Sequence, residues 1–295
     1  MLTVCIPVYN IDVRPLVNAL SQQSEISGTV TEILVADDLS DEACRRQNRE
    51  ISRLPLVRYI ESGINRGRSS IRNYLAGLAE NEYILFLDAD SLPPDNQFIR
   101  RYRDAMEPGG VVCGGTIYED RVPDPGAALR WIYGKNREQL TAGQRSAKGF
   151  SITANNFMVR KTDLLAHPFR EEIRHYGHED TVFGYDIVKA GLNIRHIDNP
   201  VFHTGLEDSG AYLVKTRIAL ENLLQIAREI VPDREFTDHS GILMTRMMLE
   251  KLGLHHVAGM IFKVLKKPAE HHLLGPCPKL SIFDLYRLGY LCSLK

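Results

Sequence analysis

Four apolar runs in the first ninety residues each break off at polar or acidic residues, and helix-patterned segments separate them. They are LTVCIPVYN from Leu2, EILVADD from Glu32, LVRYIE from Leu56 and YILFLDAD from Tyr83. Continuous apolar runs of this length mark strands buried on both faces. Between them, Leu16, Val17 and Leu20, and later Ile71, Leu75 and Leu78, recur at helical spacing. Asp12 and the pair Ser40 and Asp41 are placed as N-caps. Alternating strand and helix demands right-handed crossovers and a mostly parallel sheet. The fold class is α/β, a mostly parallel central sheet flanked by helices.

Open sheets of this kind bind ligands at the carboxyl ends of their strands. Three loops there carry the unusual residues, Pro7 to Asn10, Asp37 to Asp41 and Asp88 to Asp90. Buried carboxylates are costly unless paired or ligated. Alternate residues on a strand share a face, which aims Asp88 and Asp90 at one point. Two hard oxygen donors suit Mg²⁺ or Mn²⁺, and such a metal suits a diphosphate. On this stretch alone the alternative is a strand that ends in a polar turn, SLPPD.

Further along, Phe98, Ile99, Tyr102 and Met106 mark a helix, and Gly110 to Tyr118 reads as a strand with close backbone approaches at its glycines. A loop then leads to a short helix with the only tryptophan, Trp131. Phe150 to Lys161 has β character, interrupted by Asn155 and Asn156, polar residues that need partners. Val182, Ile187 and Ala190 mark a helix closed by Gly191. Glu179 and Asp180 stand in its first turn, where the dipole favours acids; Asp180 also reads as a plain N-cap. LNIRHI is a strand, and His203 falls in the loop after it. From Tyr212 the pattern is helical, with Leu213, Leu220, Leu223, Ala227 and Ile230 on one long amphipathic helix. The expected division is a sheet domain over 1–207, with a nucleotide-binding half to about 110 and an acceptor half from 111, and a helical region over 208–295.

The charge balance, 36 basic against 37 acidic residues, lacks the basic excess of a nucleic-acid binder. The 5 cysteines are scattered without CxxC spacing and read as reduced thiols of a cytoplasmic protein. Residues 1–10 have neither a basic start nor a long apolar segment, so no signal peptide is expected. No apolar run reaches the ~18 residues of a membrane span. In the tail, Val257, Ile261, Phe262, Val264 and Leu265 accompany Lys263, Lys266 and Lys267. Such a stretch either packs on the domain with its lysines in water or rests peripherally on an anionic membrane.

The chain resembles the family 2 glycosyltransferases, enzymes with the GT-A fold that use nucleotide sugars. Six stretches carry the likeness in order over roughly residues 2–205: PVYN, ADDLSD, NRGRSSIRN, LDAD, ITANNFMVRK and GHED. The resemblance implies an inverting, metal-dependent transfer of a sugar from a nucleoside diphosphate, a UDP-sugar by the family's habit, to a hydroxyl on a glycan or lipid-linked acceptor. Bacterial surface-polysaccharide or glycoconjugate synthesis is the setting it implies. It places Pro7, Val8, Tyr9 and Asn10 at the base and ribose pocket, and Asp38 or Asp37 as the carboxylate that reads the nucleobase. Leu39 replaces the glycine usual in that loop. Arg68 and Arg72 would neutralise the diphosphate. Asp90 would ligate Mn²⁺ or Mg²⁺, with Ala89 beside it. Asp88 would touch ribose or metal, and His203 would complete the metal site. Asn155 and Asn156 would meet donor sugar or acceptor. Asp180 would be the base, with Glu179 the lesser choice. His178 and Trp131 would wall the acceptor site.

Three other readings share parts of this pattern. A sugar-phosphate nucleotidylyltransferase opens with a glycine-rich basic loop after its first strand, whereas VYNIDVR has no glycine. A phosphoacceptor receiver is far shorter and leaves LDAD and GHED unexplained. A non-catalytic nucleotide-sugar binder does not require so many acids on one rim.

Overall fold

A computed structural model describes residues 1–294, so residue 295 of the expected helical region lies outside the described residues. The chain divides into two compact units. The first comprises Met1–Tyr118, Glu138–Arg174 and Glu179–Gly205. It opens with β1 (Leu2–Val8), α1 (Arg14–Ser27), β2 (Val30–Asp37), α2 (Glu42–Asn48), β3 (Val57–Glu61), α3 (Gly67–Leu78) and β4 (Tyr83–Leu87), one element for each apolar run and each helical spacing. There follow β5 (Ser91–Leu92), α4 (Phe98–Asp104), β6 (Val111–Cys113) and β7 (Thr116–Ile117). The chain leaves for α5 (Ala128–Tyr133) of the second unit. It returns with α6 (Ala142–Ser146), β8 (Asn156–Arg160), α7 (Lys161–Ala166), α8 (Glu179–Lys189), β9 (Ile194–His196) and β10 (Val201–His203).

The main sheet has the order β3-β2-β1-β4-β8-β6-β9, all parallel except β8. Strand order reverses between β1 and β4, the position where α/β sheets open a crevice. Side chains alternate into two cores. Val4, Ile6, Leu85 and Leu87 pack with Leu16, Val17 and Phe98 on one face, and Cys5, Leu34, Ile84 and Phe86 pack with Ile71, Leu75 and Phe183 on the other. Each such burial stabilises by roughly 1.5–3 kcal/mol, which anchors the rim loops on a rigid base. A small second sheet, β5-β10-β7, lies at that rim of the same unit.

The structure departs from the sequence expectations at four points. The N-cap of α1 is Val13 and not Asp12, since Arg14 begins the helix with Pro15 next in its first turn; Asp12 instead accepts from the Arg14 N–H (3.1 Å) and guanidinium. The expected strand over 110–118 splits at Gly114 and Gly115. Gly115 has φ +92°, and a Cβ there would lie 2.6 Å from the Arg145 guanidinium carbon, so the chain turns out of the main sheet and into the small one. The β character of 150–161 is confined to β8, from Asn156 onward. His203 ends β10 and does not lie in a loop.

The second unit comprises Glu119–Arg137, His175–His178 and the chain from Leu206 onward. It holds α5, α9 (Ser209–Gln225), α10 (Arg234–His239), α11 (Gly241–Lys251), α12 (His255–Leu273) and α13 (Leu280–Ser293). Asp208 caps α9 by accepting the N–H groups of Gly210 and Ala211. The helix passes into a π turn over Ile226–Ile230, so the expected amphipathic stripe ends as a widened turn. Leu129, Leu213, Phe262, Leu273, Phe283 and Tyr286 form the core of this unit. Among the described residues no helix is long and apolar enough to cross a membrane.

Candidate active site

Antiparallel pairing of β10 with β5 sets His203 opposite Ser91 and so returns the imidazole to Asp90. His203 Nε2 lies 3.1 Å from Asp90 Oδ2, with both side chains mostly buried. The other ring nitrogen is 3.4 Å from the Tyr118 hydroxyl, and the two rings meet edge to face. Thr204 fixes the Asp90 backbone, donating both its N–H and its hydroxyl to the Asp90 carbonyl at 2.8 Å. Gly205 packs against the carboxylate so closely that a Cβ there would lie 2.5 Å from Asp90 Oδ2. Burial pushes the Asp90 carboxyl up, but the hydrogen bond and charge of His203 outweigh it and hold the group below its usual value.

Asp88 takes a different partner. β4 ends at Leu87, so Asp88 to Asp90 form a turn and the strand alternation expected for the two acids does not apply. Asp88 Oδ1 accepts from Arg72 Nη2 at 2.8 Å. Arg72 Nη1 lies 3.5 Å from Glu179 Oε1 and donates to the Arg68 carbonyl at 3.2 Å. The guanidinium also lies over the Phe169 ring, 5.6 Å from its centroid. The Arg72 side chain is only 2% exposed. Arg72 is a buried tie between α3, the β4 turn and α8. Arg68 lies one turn earlier on α3, is 48% exposed, and also reaches Glu179 Oε1 at 3.5 Å.

α8 starts at Glu179, so Asp180 sits inside the first turn and not ahead of it. Its Oδ1 accepts the Thr181 N–H at 2.7 Å. Burial, followed by the charge of Glu179, pushes the Asp180 carboxyl up to about 6, against the pull of the Thr181 and Ala154 N–H groups and of Arg72. A carboxyl near 6 is still largely ionised at neutral pH, yet far more basic than a surface aspartate.

The first two rim loops are tied together. Asn10, at φ +53°, donates its N–H to Ser40 Oγ (2.8 Å) and accepts the Asp41 N–H on its side chain (2.7 Å). The Val8 side chain is packed in the core, while Tyr9 is 56% exposed. Asp37 is fully buried, accepting from the Ser40 N–H (2.7 Å) and the Tyr59 hydroxyl (3.2 Å). Asp38 accepts the N–H groups of Arg66 (2.7 Å) and Gly67 (2.9 Å) at the start of α3. Of the two, only Asp38 retains any exposure. Leu39 has φ +70°, the conformation for which a glycine is usual.

The asparagine pair also separates. Asn156 is fully buried; its amide donates to the carbonyls of Gly115 (2.8 Å) and Asn199 (2.9 Å) and its oxygen accepts from Tyr102 (2.7 Å). With donors and acceptor engaged it joins sheet to loop. Asn155 stays half-buried, exchanging hydrogen bonds with Thr116. Trp131 and His178 belong to the second unit. The Trp131 indole donates to the Glu119 carbonyl (2.9 Å), and His178 has φ +71°. Sequence reasoning passed over Tyr59, Tyr118, Thr204 and Gly205, whose partners are distant in the chain. Among the described residues no group of three or more His, Cys, Asp or Glu is arranged to hold a metal, so Asp90 and His203 stand as a pair.

The mostly parallel switch-point sheet flanked by helices is the GT-A fold of the structural neighbours. The chain matches Glycosyl transferase family 2 over residues 3–165, more than half its length, and it belongs to that family. Asp180 and His203 lie beyond the matched residues. The mannosyltransferase PcManGT from Pyrobaculum calidifontis, solved with GDP-Man and Mn²⁺, superposes with a TM-score of 0.65 at 14% identity, covering 99% of this chain and 85% of that one. S. aureus TarS 1-349 in complex with UDP-GlcNAc gives a TM-score of 0.53 at 15% identity, over 98% and 90% of the two chains. GalNAc-T7 with UDP, GalNAc and Mn²⁺ gives 0.54 at 16% identity, over 69% of this chain and 43% of that one. At these identities the likeness is one of fold. No curated protein sequence matches the chain.

Proposed function

We propose that the chain transfers a sugar, with inversion, from a nucleoside-diphosphate sugar to a hydroxyl acceptor, using Asp180 as the base. The observation that carries this reading is the Asp180 carboxylate itself, raised to about 6 in the first turn of α8 and neighbour to a Glu179 tied through Arg72 to the β4 turn. An acceptor hydroxyl must lose its proton as its oxygen attacks the anomeric carbon and the bond to the diphosphate breaks. A carboxylate of raised pKa accepts that proton better than an ordinary one. The donor assignments that fit are Tyr9 as an aromatic face for the base, Asp38 as its hydrogen-bond acceptor and Arg68 as the cation for the diphosphate.

Asp90 and His203 fit a divalent cation. One carboxylate oxygen and one imidazole nitrogen already face each other, a donor set that would suit Mn²⁺. When bound, such an ion neutralises the charge that develops on the departing diphosphate. The chain's own part is to hold the pair, through Thr204 and the closely packed Gly205. The test is transfer from UDP- and GDP-sugars with Mn²⁺, with EDTA, and in Asp90→Ala. We expect activity to vanish with EDTA and in the variant; full activity in both would remove the metal from the reading.

A further inference from the structure

Helix α12 has two apolar faces, and the fold uses one. Gly259, Phe262 and Leu273 turn inward. Phe262 packs edge to face on Tyr286 of α13, and Gly259 lies so close to α13 that a Cβ there would fall 2.9 Å from the Cys292 carbonyl. The second face carries Val257, Met260, Ile261, Val264 and Leu265, spaced i, i+3, i+4, i+7 and i+8, a single stripe on a helix. All five are exposed, from 43% at Val257 to 77% at Val264. The sequence expectation that counted Phe262 with this stripe is corrected, since Phe262 belongs to the inner face.

Charge tells what would cover the stripe. Lys263 and Lys267 are exposed and, at about 100° per residue, fall along one edge of it. The single acid of α12, Glu270, is occupied by Arg217 (3.1 Å) and the Tyr286 hydroxyl (2.8 Å). The exposed face of α12 is therefore apolar with a positive border. A helix of 19 residues, about 28 Å long, with such a face suits the interface of a bilayer: apolar side chains among the acyl chains, ammonium groups at anionic headgroups. We propose that α12 docks this protein on an anionic membrane surface, lying flat through the stripe from Val257 to Leu265. A second copy of the chain would bring lysine edges of like sign toward one another, and the charge pattern disfavours it.

The test is flotation of the full chain with phosphatidylcholine vesicles, with and without phosphatidylglycerol, at low and high salt. The wild type is expected to float with the anionic vesicles at low salt. Binding should weaken roughly tenfold or more on neutral vesicles, in Ile261→Ser/Val264→Ser and in Lys263→Glu/Lys267→Glu. The melting temperature of both variants should match the wild type, because the exposed side chains support nothing inside the fold. Failure to float with anionic vesicles overturns the proposal, as does equal binding to neutral ones. A dimer in sedimentation that the Ile261→Ser/Val264→Ser variant dissolves, with no vesicle binding, assigns the face to a second copy and also overturns it.

Discussion

Replacing Asp180 with asparagine removes a charge that the fold holds against burial and against Glu179. The carboxyl sits near 6 where an unperturbed aspartate has 3.8. The sign follows from proton linkage. A carboxyl whose folded value lies above its unfolded value favours the fold fully below the unfolded value, and that advantage is lost as pH rises through the folded one. Ionised Asp180 therefore destabilises the native state by roughly 1–2 kcal/mol at pH 5 and by roughly 3 kcal/mol at pH 8. Asparagine keeps an oxygen for the Thr181 N–H, now at 2.7 Å, and carries no charge. Asp180→Asn gives up the Ala154 N–H but not the pH-dependent gain: its stability relative to the wild type should rise by roughly 1–2 kcal/mol between pH 5 and pH 8. Urea unfolding of both proteins across that range measures it. A variant less stable than the wild type by an amount independent of pH would refute the reasoning, because Asp180 would then be a structural hydrogen-bonding group without strain.

Two other perturbations separate holding from chemistry. Arg72→Ala removes the buried cation that Asp88 and Glu179 share, leaving Glu179 with the half-exposed Arg68 and Asp88 partly open to water, and should destabilise by about 1–3 kcal/mol, read as a fall in the denaturation midpoint; an unchanged midpoint would show the tie to be idle. Gly205→Ala places a methyl 2.5 Å from Asp90 Oδ2 and must move that carboxylate. The Mn²⁺ concentration needed for half-maximal transfer should rise roughly tenfold, with little change in melting temperature; an unchanged metal requirement would take Asp90 out of the metal site.

The parallel half of the sheet was legible because both faces of β1, β2 and β4 are covered, so their sequences are uninterrupted apolar runs. Gly110 to Tyr118 misled for a physical reason: its apolar pattern is continuous, but Gly114 and Gly115 turn the backbone where Arg145 and Asn199 crowd it. The asparagines show the same limit. Adjacent in sequence, Asn155 and Asn156 face different surroundings, and the partners of Asn156 lie 41 to 54 positions away. Arg72 read as a cation for the diphosphate from the family resemblance and its place near the start of α3, and its buried ties were not legible. Only the fold brings Glu179, far along the chain, to its guanidinium. The approach of His203 to Asp90 depends on the β5–β10 pairing, two strands too short to announce themselves.

The assignment of Asp180 as the base is tested most directly by nucleoside-diphosphate release from a nucleotide sugar across pH, in the wild type and in Asp180→Asn, with donor binding titrated in parallel. The account predicts a wild-type rate that falls as pH drops through about 6, and an Asp180→Asn rate lower by ~10²-fold or more with donor affinity retained. An Asp180→Asn protein that turns over at the wild-type rate, or that no longer binds donor, would contradict it.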